Sequence, residues 1–216
     1  MTHPNPTQRH ASGVGQKSCL IGALLTVGGG IVLVVAGSLA ALFVLPGLIQ
    51  GPLDLDGRGA VGRRLPDLRL QPLTGTDQPV ALEDLAGQVA VVNFWGTWCP
   101  PCRMELPHIA RLQETFGDRP DFRLLAVSCG PGGEEDLEEL RANTAATLRQ
   151  SGIEMPTYAD PGFVTRRAFD AVDEFSVYPT TFVMDRQGVI RGVWVKFDRR
   201  MPPAIEQLVA RLLAEQ

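Results

Sequence analysis

Hydrophobic residues follow two different patterns along this chain. Between Ser18 and Leu53 no charged residue occurs, and within that run Cys19 to Leu45 is apolar or glycine except for Thr26 and Ser38. Its 27 residues would make a helix about 40 Å long, more than the roughly 30 Å hydrocarbon core of a bilayer. From Val61 onward the apolar residues instead alternate with polar ones at strand or helix spacing. Leu68–Leu70 and Val80–Ala81 read as short strands around a turn at Thr74-Gly75-Thr76-Asp77. Val89–Trp95 is a continuous apolar run of strand length, suited to a strand buried on both faces. Pro100–Phe116 repeats its apolar positions at Cys102, Leu106, Ile109, Leu112 and Phe116, one face of a helix closed by Gly117.

Phe122–Ser128 is the next predicted strand, followed by a helix over Glu134–Gln150 whose acidic start complements the helix dipole and which Gly152 ends. A strand at Thr157–Ala159 and a short helix at Phe163–Phe169 come next. Thr181–Met184 and Val189–Val195 flank a polar turn and predict a hairpin. A last amphipathic helix, with Ile205, Leu208, Val209, Leu212 and Leu213 on its apolar face, is entered through Pro202-Pro203. The order β-α-β-α-β-α-β-β-α predicts one mixed α/β domain with helices on both faces of the sheet.

Charge gives the long apolar run a direction. Residues 1–17 carry Arg9 and Lys17 and no acid, so the positive-inside rule keeps this stub cytoplasmic and the rest outside. The expected layout is a stub at 1–17, a transmembrane anchor at 18–49, a glycine-rich linker at 50–61 and a folded domain at 62–216. The localisation this implies is the inner (cytoplasmic) membrane, single-pass, with the C-terminal domain extracytoplasmic. A cleaved signal peptide is the alternative, with Ser38-Leu39-Ala40 as a small-residue cleavage pattern, but signal cores are usually shorter. The exported part holds 18 bases against 24 acids, a net charge of −6, which argues against an electrostatic nucleic-acid binder. Four cysteines in 216 residues are too few for a disulfide scaffold.

The chemistry concentrates at Trp98-Cys99-Pro100-Pro101-Cys102, between the buried strand and the first long helix. Cysteines three apart at a helix start lie on one turn, close enough to join. Cys99 sits where unpaired N–H groups and the dipole stabilise a thiolate, while Cys102 falls on the apolar face and should be buried. That arrangement suits disulfide exchange, with Cys99 attacking and Cys102 resolving. A static disulfide or half a zinc site is the plainer reading; zinc would need further ligands, and the sequence has no second C-x-x-C and no paired histidine motif.

The run Asn93-Phe94-Trp95-Gly96-Thr97-Trp98-Cys99-Pro100-Pro101-Cys102-Arg103-Met104-Glu105-Leu106-Pro107 resembles the signature of the TlpA/ResA-like membrane-anchored thioredoxins. The resemblance extends over about Val61 to Gln216, with Leu65-Pro66-Asp67, Leu85-Ala86-Gly87 and Tyr178-Pro179-Thr180-Thr181-Phe182. It implies a thioredoxin-like fold with a central α/β insertion, here the acidic helix and the Thr157–Phe169 unit. It also implies that Pro179 is cis and lies opposite the cysteines, and that Trp98, Pro100, Tyr178 and Pro179 face the substrate. No cofactor beyond a redox-active disulfide is expected, and no metal. The implied partners are disulfides of exported proteins, as in cytochrome c maturation, with a membrane thiol transporter as electron donor.

Some positions depart from, or leave open, the thioredoxin pattern. Thioredoxins proper have a buried aspartate where Asn93 stands, and an amide cannot accept a proton as a carboxylate does; TlpA/ResA-like members commonly share this change. Glu105 is either a helix-surface carboxylate or a group that tunes the thiols. Lys196 is the only lysine after Lys17, so the helix terminus is left to stabilise the thiolate. Cys129, at the end of a strand, is either an inert core thiol or a residue close enough to tune or trap the pair. Two other functions compete. A peroxide-reducing redoxin would need Thr-x-x-Cys, and Gly96 stands three before Cys99. A copper-delivery module could use the two cysteines as soft ligands, with only Met104 and His108 nearby.

Overall fold

The computed structural model describes residues 59–132, 136–173 and 177–215. The stub and anchor expected at 1–17 and 18–49, and most of the linker at 50–61, lie outside the described residues. Among the described residues no helix is long and apolar enough to cross a membrane. The end of the expected linker is part of the core: Ala60 is fully buried, and the Gly62 N–H donates to the Ile190 carbonyl at 2.8 Å.

Among the described residues, seven strands form one sheet in the order β2-β1-β5-β4-β3-β6-β7. They are β1 (Arg69–Thr74), β2 (Val80–Ala81), β3 (Val89–Trp95), β4 (Phe122–Ser128), β5 (Thr157–Ala159), β6 (Thr180–Met184) and β7 (Ile190–Val195). The helices are α1 (Pro100–Phe116), α2 (Leu137–Ser151), α3 (Val164–Asp170) and α4 (Met201–Ala214). β3, β4 and β5 run parallel, with α1 and α2 as their crossovers, and the other pairings are antiparallel. The β6–β7 hairpin is as expected, its turn held by Asp185, whose Oδ1 accepts the N–H groups of Gln187 and Val189 at 2.9 Å.

Every residue of β3 is buried, because α1 and α4 cover one side of the sheet and the N-terminal segment and α3 the other. Val91 and Trp95 share a layer with Leu106 and Ile109 of α1 and Ile205 and Val209 of α4. Ala90, Val92 and Phe94 share the opposite layer with Leu68, Leu85 and Phe169. The period-2 alternation of a strand therefore sorts β3 into two cores.

Two element boundaries differ from expectation by more than one residue. β1 runs to Thr74 instead of ending at Leu70, because it pairs with β5 through Gln71, Pro72 and Thr74. Pro72 is tolerated because the register shifts between it and Thr74, the kind of irregularity where strand prolines occur. α2 begins at Leu137, capped by Asp136, whose Oδ1 accepts the Glu138 and Glu139 N–H groups at 2.9 and 3.2 Å. Glu134 and Glu135 lie outside the described residues.

Candidate functional site

Cys99 is the N-cap of α1, with extended backbone angles, and Pro100 and Pro101 fill the first turn, where their missing N–H groups cost nothing. Cys99 and Cys102 are joined as a disulfide with their Cα atoms 5.3 Å apart. The Cys102 N–H points at Cys99 Sγ at 3.3 Å, so a backbone donor already faces the sulfur that would carry charge after reduction. Both cysteines are buried in this oxidised form, Cys102 on the apolar face of α1 as expected.

Trp98 and Tyr178 stand beside the pair. Trp98 is 44% exposed, and its ring meets Tyr178 edge to face at 5.5 Å. The Tyr178–Pro179 bond is cis, and the Pro179 carbonyl accepts the Lys196 N–H at 2.8 Å. Lys196 thus supports the proline loop with its backbone. The Arg166 guanidinium lies 5.4 Å from the Tyr178 ring centroid, within cation–π range. Pro100 is exposed on the first turn. A cleft of about 240 Å³ opens beside Trp98, between Gly130–Gly132 and the Asp136, Glu139 and Asn143 side of α2.

The Trp98 indole N–H donates to the Cys129 carbonyl at 2.9 Å. This contact requires glycine at position 96, where an added Cβ would lie 2.5 Å from the indole nitrogen and 2.9 Å from the Cys129 oxygen. The absence of threonine three before Cys99 therefore has a steric reason. Cys129 reaches the site through this carbonyl, whereas its side chain belongs to the opposite core layer with Phe94 and Val127.

Behind the disulfide is a buried polar ring. Glu105 is not on the helix surface: it is 2% exposed and three residues past Cys102, on the same helical face. Asn93 Nδ2 donates to Glu105 Oε2 at 2.9 Å and to Thr181 Oγ1 at 2.8 Å, and Thr181 Oγ1 donates to Glu105 Oε1 at 3.2 Å. Burial pushes the Glu105 carboxyl up to about 7, against the lowering effect of the hydrogen bonds from Asn93 and Thr181. A carboxyl poised near neutrality is thus present behind Cys102, on α1 instead of on β3. Thr181 is the member of this ring that motif reading passes over. Its signal is the antiparallel register that pairs it directly with Asn93.

The AhpC/TSA family model matches residues 61–193, more than half of the chain. The chain belongs to the AhpC/TSA family. It is similar to the thioredoxin-like protein YneN of Bacillus subtilis, 29% identical over 140 residues that cover 62% of this chain and 71% of that protein. It is equally similar to the thiol-disulfide oxidoreductase ResA of Geobacillus thermodenitrificans, 29% identical over 136 residues, 62% of this chain and 68% of that one. Among solved structures, a thiol:disulfide interchange protein of the thioredoxin family from Chlorobium tepidum superposes with a TM-score of 0.56 at 28% identity. That match covers 71% of this chain and 97% of the other. The TlpA/ResA-like resemblance and the thioredoxin-like α/β fold therefore hold. This member of the AhpC/TSA family is a protein thiol–disulfide oxidoreductase.

Proposed function

We propose that the protein is an anchored extracytoplasmic reductase that breaks disulfides in exported proteins, cytochrome c maturation being one setting for such a reaction. The observation that carries this reading is the Cys99–Cys102 disulfide at the N-terminus of α1, next in the chain to Trp98, whose ring meets that of Tyr178 at the cis Tyr178–Pro179 bond. The uncharged run from Ser18 to Leu53, behind a stub with two bases and no acid, supports anchoring with the domain outside.

In the reduced protein, the Cys99 thiolate attacks one sulfur of the substrate disulfide, and the other substrate sulfur leaves as a thiolate that takes up a proton. Cys102 then gives its proton to the Glu105 carboxylate and attacks Cys99 Sγ. The Cys99–substrate bond breaks, the Cys99–Cys102 disulfide forms, and the second substrate thiol departs protonated. Two electrons pass from the protein dithiol to the substrate, and a membrane dithiol donor returns them. Trp98, Pro100, Tyr178 and Pro179 form the face on which the substrate chain lies, and the cleft beside Trp98 has room for a neighbouring substrate side chain.

The test is a trap. Full-length Cys102→Ala protein, expressed with its export segment intact, should accumulate mixed disulfides through Cys99 with exported proteins, separable by diagonal gels and identified by mass. An empty trap together with stoichiometric copper on the purified wild-type protein would replace this reading with the copper-delivery one.

A further inference from the structure

The hydrogen-bond ring behind the disulfide is asymmetric, and the asymmetry identifies where a proton on Glu105 must sit. Glu105 Oε2 faces Asn93 Nδ2, which can only donate. A hydrogen on Oε2 would meet another hydrogen. Glu105 Oε1 faces Thr181 Oγ1, a hydroxyl that can donate or accept. Turning the Asn93 amide around does not solve the problem as well. It would give up both Nδ2 hydrogen bonds and leave two N–H donors at the buried position where Oδ1 now has no partner.

We infer that Thr181 is the positioning residue for Glu105. Its hydroxyl donates to Oε1 when the carboxyl is ionised and turns round to accept from Oε1 when the carboxyl is protonated, while Asn93 keeps the same orientation. The inference rests on the proposed role of Glu105 as the proton acceptor for Cys102. It deepens that role by giving the proton a single location and by adding a residue that touches neither cysteine in the ring's hydrogen bonding. It also links the two parts of the site, since Thr181 lies two residues past the cis proline and Glu105 three past Cys102. Among the described residues grouped in this layer, Cys99 and Cys102 on α1 are joined as a disulfide and do not titrate in the oxidised protein, which leaves Tyr178 before β6; α4 presents Met201, Ile205 and Leu208. Burial and the two ring hydrogen bonds are the causes of the Glu105 shift, with no charged side chain among them.

The experiment is a pH titration of the Glu105 carboxyl carbon by NMR in the oxidised full-length protein, the resonance being the one missing from Glu105→Gln. The wild type should titrate near 7. Thr181→Val, which keeps the shape and loses the hydroxyl, should titrate higher, because the bond lost from the ionised carboxylate is charge-assisted and stronger than the one lost from the neutral acid, and Thr181→Ser should return to the wild-type midpoint. A rise of about one pH unit lowers the ionised fraction at pH 7 about five-fold, and the resolving step should slow by the same factor. In the wild type, which needs no substitution to fold, the Thr181 Cβ shift should move with the Glu105 midpoint. A Thr181→Val midpoint equal to wild type, a Thr181→Ser midpoint equal to Thr181→Val, or a Thr181 shift that ignores the titration overturns the inference. The proton-acceptor role fails on a different result, a Glu105→Gln protein that resolves mixed disulfides at the wild-type rate.

Discussion

On one side of β3, Asn93 meets Glu105 of α1 and Thr181 of β6, and the Cys99–Cys102 disulfide lies in the same layer. On the other side, Phe94 stands 5.3 Å from Phe169 and 6.3 Å from Phe182, whose rings are 4.1 Å apart from each other. Both layers are buried, but they hold their carboxyls differently: on the α3 side Asp160 accepts the backbone N–H groups of Thr165 and Arg166 at 3.0 and 2.7 Å, whereas on the first side Glu105 is held by the side chains of Asn93 and Thr181. Burying a carboxyl costs stability unless it is neutral or well paired, and the proton-acceptor role proposed for Glu105 would give that cost a chemical use. The aromatic layer has the opposite property: it contributes packing and takes no part in proton transfer. One strand thus separates a core that holds the disulfide from a core built on aromatic packing.

Substitutions on the two sides should therefore fail differently. Phe169→Ala empties the aromatic layer and should cost about 3–5 kcal/mol of unfolding free energy, measured by denaturant titration. Its deficit should be constant with pH, and the molecules that remain folded should exchange disulfides at the wild-type rate.

The polar side should instead show a pH-dependent stability. The folded Glu105 carboxyl titrates at about 7 against 4.5 for an ordinary glutamate. The native state therefore holds this proton to a higher pH than the unfolded chain does. The stability this contributes is complete below pH 4.5 and lost as pH rises through 7. The difference in stability between Glu105→Gln and wild type should move in favour of the variant by about 3 kcal/mol from pH 4.5 to pH 8. A pH-independent difference would remove the buried, shifted carboxyl from the account.

The smallest effect is expected at Cys129, whose side chain belongs to the aromatic layer and whose contact with the site is a carbonyl holding Trp98. Cys129→Ala keeps that carbonyl and should change exchange rates by less than about three-fold. Mass mapping of the oxidised wild-type protein should find Cys129 as a thiol and the disulfide only between Cys99 and Cys102. A disulfide through Cys129 would place it on the reactive side after all.

Local patterns made much of this legible in the sequence. The apolar run of β3, the helical spacing of α1 and the cysteine pair between them depend on neighbours in the chain, and each is where the pattern puts it. Glu105 was also readable, since 102, 105, 106 and 109 lie on one helical face, but a glutamate there fits equally well at the edge of that face. Thr181 depends on the antiparallel register of β6 on β3, which pairs it with Asn93 across 88 positions of sequence, and no local pattern contains that information. The extent of β1 was hidden for the same reason: Pro72 argues against a strand until β5 pairs with it.

The most direct measurement is the rate at which a preformed mixed disulfide on Cys99 is resolved by Cys102, followed by stopped-flow release of a chromogenic thiol from pH 5 to pH 9. The account predicts a wild-type rate that rises through a midpoint near 7. It predicts a Glu105→Gln rate about a hundredfold lower at pH 8, with that midpoint gone. Superimposable profiles would contradict it, because the carboxyl behind Cys102 would then take no part in moving the proton.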